Sequence, residues 1–103
     1  MIRAEFFFRS GLPAGFLISG HSGEAGTDIV CAAVSSAAYL TANTATDVMG
    51  VPADVSVSEG RMLFRVSRGK EEKCREILLG LEMHLAALEK QYPKKIDVFH
   101  TEV

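Results

Sequence analysis

Along residues 2–9 the apolar side chains Ile2, Ala4, Phe6 and Phe8 occupy every second position, the period of a strand with one buried face. Ser10-Gly11-Leu12-Pro13-Ala14-Gly15 reads as turn chemistry, because glycine reaches unusual dihedrals and proline cannot donate to a ladder. Phe16-Leu17-Ile18-Ser19 then predicts a second strand, antiparallel to the first. Asp28 opens a helix that Gly50 and Pro52 close. Residues 55–58 and 62–67 predict a hairpin turning at Glu59-Gly60-Arg61, with the glycine supplying a positive φ. From near Lys70 to before Pro93, Cys74, Ile77, Leu78, Leu81, Leu85 and Leu88 recur at three- and four-residue steps, one apolar helical stripe. A last strand covers about 96–102.

The order β-β-α-β-β-α-β predicts an α+β fold. It is a two-layer sandwich in which one mixed, mostly antiparallel sheet carries both helices on a face. The runs Phe6-Phe7-Phe8 and Phe16-Leu17-Ile18 put apolar side chains on both sides of the pleat. The second sheet face is therefore expected to be covered as well, and a homodimer is the simplest cover.

A chain of 103 residues fits one domain, 1–103. With 48% hydrophobic and 23% charged residues, it is globular rather than disordered. A net charge of −2 lacks the basic footprint of a phosphate-backbone binder, so no direct nucleic-acid contact is expected. Two cysteines are too few for a disulfide scaffold and read as reduced thiols, which predicts a cytoplasmic protein. Glu5 just before the first apolar run spoils a signal-peptide reading. Residues 29–46 carry no charge, but Ser35, Ser36, Thr41, Asn43, Thr44 and Thr46 make them a buried helix, not a membrane span.

The chemistry concentrates in residues 20–35. A strand ends at His21, a loop with Gly20, Ser22, Gly23 and Gly26 follows, and a helix opens with Cys31 in its first turn. With Asp28 as N-cap, Cys31 is the third helical residue, where the macrodipole favours an anion. The dipole supplies about 0.3–1 kcal/mol, ~2 when partly buried, against about 1.4 kcal/mol per pKa unit. It lowers a thiol pKa of about 8.5 by a unit or so, and a thiolate at neutral pH needs a cation as well. His21 is the candidate, and its imidazolium could protonate a leaving amine. The plainer reading makes Cys31 a small buried hydrophobe and His21 structural.

Asp28 either orients His21 or only caps the helix. Ser35, one turn beyond Cys31, either bonds near the site or bonds back to the Cys31 carbonyl. The glycine-rich loop either closes over a peptide or is plain turn chemistry. First-turn N–H groups are candidate oxyanion donors. Cys74 belongs to the core. His84 and His100 have no partners at metal-ligand spacing, so neither a metal site nor a cofactor is expected. A rival reading is a non-enzymatic module binding an anion, or the ribosome, through the loop and helix N-terminus.

Gly20-His21-Ser22-Gly23 followed by Asp28-Ile29-Val30-Cys31-Ala32-Ala33-Val34-Ser35 resembles the signature of the ribosomal-processing cysteine protease family, Prp. The resemblance implies a cytoplasmic bacterial endopeptidase, typically dimeric, with a Cys/His dyad. Such enzymes remove a short N-terminal extension from large-subunit ribosomal protein twenty-seven, cutting beside an aromatic pair. By motif position Cys31 is the nucleophile, His21 the general base and acid, and Asp28 and Ser35 are supporting residues. Ser22 stands where relatives commonly have alanine, and the loop to Cys31 is a residue or two shorter than in some of them. Both departures bear on the cleft and its substrate fit.

Overall fold

The computed structural model describes residues 1–20 and 28–103. Among the described residues, five strands and two helices follow one another in the expected order. Strand β1 (Ile2–Arg9) turns through Ser10 and Gly11 into β2 (Leu12–Ser19). Both turn residues have positive φ, 51° and 80°, which matches a two-residue hairpin loop to the twist of its strands.

Strand β2 therefore starts four residues earlier than the turn-like composition of residues 10–15 predicts. The pairing steps from Phe7↔Gly15 to Phe8↔Pro13, so Ala14 is an extra residue at an irregularity in the ladder. Pro13 sits beyond the last β2–β4 pair, Gly15↔Arg65, where its missing N–H leaves that ladder intact. Gly15 has a packing reason: a Cβ there would lie 2.1 Å from the Phe64 carbonyl oxygen.

Helix α1 (Ile29–Asn43) continues into a wider π-type turn over Thr44–Val48, and Gly50 at φ +69° ends the segment where the sequence placed its stop. Strands β3 (Ala53–Ser58) and β4 (Arg61–Val66) turn at Glu59-Gly60, so Arg61 belongs to β4 and pairs with Ser58 rather than lying in the turn. Helix α2 (Glu71–Gln91) leads to β5 (Ile96–Glu102).

The sheet order is β3-β4-β2-β1-β5, with β5 parallel to β1 and every other pair antiparallel. The fold is thus α+β, a mixed and mostly antiparallel sheet under two helices. The core lies between these layers. Phe6, Phe16 and Phe64 are fully buried, with ring centroids 6.3 Å apart for Phe6–Phe16 and 5.5 Å for Phe16–Phe64. From α2, Cys74, Leu78, Leu81 and Leu85 are buried, while Ile77 and Leu88 pack at the margin. Among the described residues no helix is long and apolar enough to cross a membrane.

The other sheet face also carries apolar side chains, as the two runs predict. Within the two apolar runs, Phe6, Phe8, Phe16 and Ile18 alternate toward the helices, leaving Phe7 and Leu17 for the opposite side. Phe7 is covered within its own chain by the Arg65 guanidinium, 5.1 Å from the ring centroid, and Arg3 stacks 4.8 Å over Phe99. Glu5 and Thr101 also share this face, joined by a 2.5 Å hydrogen bond. Strand alternation thus places Phe7, with Leu17, Leu63 and Phe99, on this second face.

Arg9 ties three elements together at one end of the sheet. Its guanidinium donates to the Val66 carbonyl and pairs with Glu71 in the first turn of α2 at 2.5 Å. The Glu71 carboxylate also accepts from the Gly69 N–H at 2.9 Å. Hydrogen bonding from its own backbone N–H, then the charge of Arg9, holds its pKa below the ordinary carboxylate value despite an opposing contribution from desolvation.

Candidate active site

Asp28 starts the site by starting a helix. It has an extended backbone (φ −90°, ψ 111°), and its Oδ1 accepts from the N–H groups of Val30 at 2.9 Å and Cys31 at 3.4 Å. The Asp28 carbonyl accepts from Ala32 N–H at 3.1 Å. This is N-cap geometry, and it places Cys31 third in α1. It also corrects one expectation: the first-turn N–H groups of Val30, Cys31 and Ala32 bond to Asp28, so they are not waiting for an oxyanion or a phosphate. The loop donors of the rival anion-binding reading lie outside the described residues.

The two thiols occupy opposite environments. Cys31 is partly exposed, whereas Cys74 is fully buried and its pKa is pushed up by desolvation. Cys31 opens onto a groove of about 160 Å³ between α1 and the β3–β4 hairpin. Cys31, Ser35, Ala38 and Tyr39 form the helix wall, at offsets of four, seven and eight residues. Val57, Ser58, Gly60 and Arg61 form the facing wall, and Ile18 and Met62 lie between them. Tyr39 and Val57 are 44% and 49% exposed, so the groove has apolar walls that solvent reaches.

Gly20 belongs to the same groove. Its N–H donates to the Gly60 carbonyl at 2.9 Å, fastening the end of β2 to the hairpin turn. At φ +90° a Cβ on Gly20 would approach the Met1 carbonyl oxygen to 2.4 Å, so this position requires glycine. His21, Ser22, Gly23 and Gly26 lie outside the described residues. Of the expected site residues, the structure brings Gly20, Cys31 and Ser35 to one groove and sets Asp28 as the cap just before it. Ser35 is exposed on the helix wall of this groove.

Sequence reasoning did not find Tyr39, Val57, Gly60, Arg61 and Met62. For Tyr39 a signal existed, two helical turns from Cys31 on the same face. For the hairpin residues there was none, because nothing local in residues 57–62 says which helix they will face.

A family model described as "Cysteine protease Prp" matches residues 1–97. No curated protein matches the chain. A crystal structure of an essential ribosomal processing protease Prp from S. aureus, in complex with a covalently linked product peptide, is 23% identical with a TM-score of 0.89. The alignment covers 98% of this chain and 100% of that one. The same S. aureus protease with a substrate peptide is 22% identical with a TM-score of 0.86, at the same coverage. SMU.848 from Streptococcus mutans is 23% identical with a TM-score of 0.85, covering 100% of this chain and 96% of that one. At these identities the likeness to solved structures is one of fold.

Proposed function

Because this chain belongs to the Prp family of cysteine proteases, we propose that Cys31 is its nucleophile and His21 its general base and acid. The Cys31 proton passes to His21 as the sulfur attacks the peptide carbonyl. The resulting tetrahedral centre collapses to a thioester while the imidazolium protonates the departing amine. Water, deprotonated by His21, then adds to the thioester and restores the thiol, releasing a carboxylate. Asp28 fixes the helix end that carries the sulfur, Ser35 offers a hydroxyl in the same groove, and Gly20, Ser22, Gly23 and Gly26 form a loop that closes over the peptide.

The observation that carries this reading is the contrast between the cysteines: Cys31 opens onto a solvent-reached groove at a capped helix start, and Cys74 is sealed in the core. The proposed substrate is the N-terminal extension of large-subunit ribosomal protein twenty-seven, cleaved in the cytoplasm by a homodimer that needs no cofactor and does not touch nucleic acid directly. The ribosomal processing activity and the bound substrate peptide of the S. aureus relative support this choice.

The test is cleavage of the full-length ribosomal protein, followed by mass spectrometry. Cys31→Ala and Cys31→Ser are expected to abolish product while circular dichroism stays that of the wild type. Cys74→Ala is expected to cleave at close to the wild-type rate. Undiminished cleavage by Cys31→Ala would remove the proposed nucleophile.

A further inference from the structure

The two edges of the sheet differ in what they leave open. On β5 the Val98 N–H donates to the Glu89 carboxylate of α2 at 2.7 Å, so a side chain already occupies that edge. Strand β3, at the opposite edge, pairs with β4 alone among the described residues. The Ser67 N–H donates to the Pro52 carbonyl at 3.0 Å, which fixes the phase of the β3–β4 ladder. Counting along the register from that bond, Asp54 and Ser56 turn their N–H and C=O groups toward Arg65 and Leu63 of β4. The N–H and C=O groups of Val55 and Val57 therefore point outward, with no strand beyond them among the described residues.

The side chains lead to the same place. Val55 and Val57 stand across from the buried Phe64 and Met62, on the helix side of the sheet, yet are 46% and 49% exposed. Val57 is itself a wall of the Cys31 groove, with Tyr39 of α1 on the other side. Open backbone, apolar shelf and the groove that holds the sulfur are thus continuous. An edge that offers a donor and an acceptor at every second residue is matched by extended main chain. Helix α1 is uncharged from Ile29 to Asn43, so its wall of the groove favours apolar or neutral side chains.

We infer that the substrate peptide binds as an added strand on β3, its main chain paired with Val55 and Val57 and every second side chain resting on these valines. This rests on the peptidase reading above and names the substrate class of that site: an extended segment in which apolar and polar residues alternate. The polar positions of that segment lie beside Asp54 and Ser56 on the other face of the sheet. Because the Cys31 groove lies at the hairpin end of β3, the pairing also sets which peptide bond reaches the sulfur. A slip of one residue would turn the apolar set away from the shelf.

Residue-resolved amide hydrogen exchange of Cys31→Ala, with the N-terminal peptide of large-subunit ribosomal protein twenty-seven as probe, tests this. Without peptide, Asp54 and Ser56 are expected to exchange slowly and Val55 and Val57 fast. Saturating peptide is expected to slow Val55 and Val57 about tenfold or more relative to Asp54 and Ser56. In the active enzyme, Val55→Pro removes one outward donor and no ladder bond. It is expected to raise KM about fivefold or more with kcat retained, while Val55→Thr, which keeps the N–H, stays within about twofold. Bound peptide that leaves both valine amides exchanging freely overturns the pairing while the Cys31 nucleophile stands, and so does a peptide that fails to bind. Protection of both amides that needs no peptide and grows with protein concentration gives the edge to a second copy and overturns the pairing too. Should Val55→Pro unfold, the exchange pattern decides. Undiminished cleavage by Cys31→Ala removes the nucleophile alone, since protection of the two amides reports binding and not chemistry.

Discussion

At Asp28 a single carboxylate binds two backbone donors, Val30 and Cys31 N–H, and thereby decides where the helix starts and where the Cys31 sulfur lies. Asparagine offers the same acceptor geometry without the charge. Asp28→Ala is expected to cost about 1 kcal/mol in urea denaturation, while Asp28→Asn stays within a few tenths of wild type. If capping is its whole contribution, kcat/KM for peptide cleavage by Asp28→Asn equals that of wild type. A stable but slow variant would instead show that the charge acts on His21. At the same scale, the cap already engages the Val30 and Cys31 N–H groups in the structure.

At the scale of elements, α2 is joined to the sheet by more than its apolar stripe. Glu71, in its first turn, receives Arg9 from β1 and the Gly69 N–H, and its pKa lies below the ordinary value of 4.5. In the unfolded chain Glu71 titrates near that ordinary value. Its stabilising contribution is therefore complete above about pH 4.5 and is lost as pH falls through the lower folded-state value. Thermal melts on an acid series are expected to lose part of their pH dependence in Glu71→Gln, with a lower melting temperature at neutral pH. Equal slopes in the two proteins would remove Glu71 as a contributor to acid unfolding. The helices themselves were legible in sequence because the α2 stripe and the α1 stop signals are local patterns. The start of β2 was not: Pro13 and Gly15 look like turn residues, and only pairing with β1 and β4 shows that one sits at an irregularity and the other under the Phe64 carbonyl.

At the scale of the whole molecule, burial separates two chemically identical thiols. Iodoacetamide is expected to modify the native protein at Cys31, and Cys74 only after denaturation, as read by mass spectrometry of tryptic peptides. Its sulfur lies between α2 and the sheet, inaccessible and with its thiolate disfavoured. Native labelling of Cys74 at a rate matching Cys31 would contradict this core. Much of the site's chain-local part was visible beforehand, since the cap, the cysteine three residues later and the glycine before the loop all act over a few residues. The groove was not visible, because its second wall comes from a hairpin more than twenty residues downstream.

The sequence by itself determined the elements, their order and the residue at the helix mouth, because hydrophobic period, caps and turn residues are short-range physics. Only the tertiary structure decided what those residues face. Strand order β3-β4-β2-β1-β5 brings Val57, Gly60, Arg61 and Met62 opposite Cys31 and divides the phenylalanine run between a core and an arginine-covered face. Such neighbours depend on pairings between distant segments, whose free energy is set by the packing of the whole sheet and not by any window of the chain.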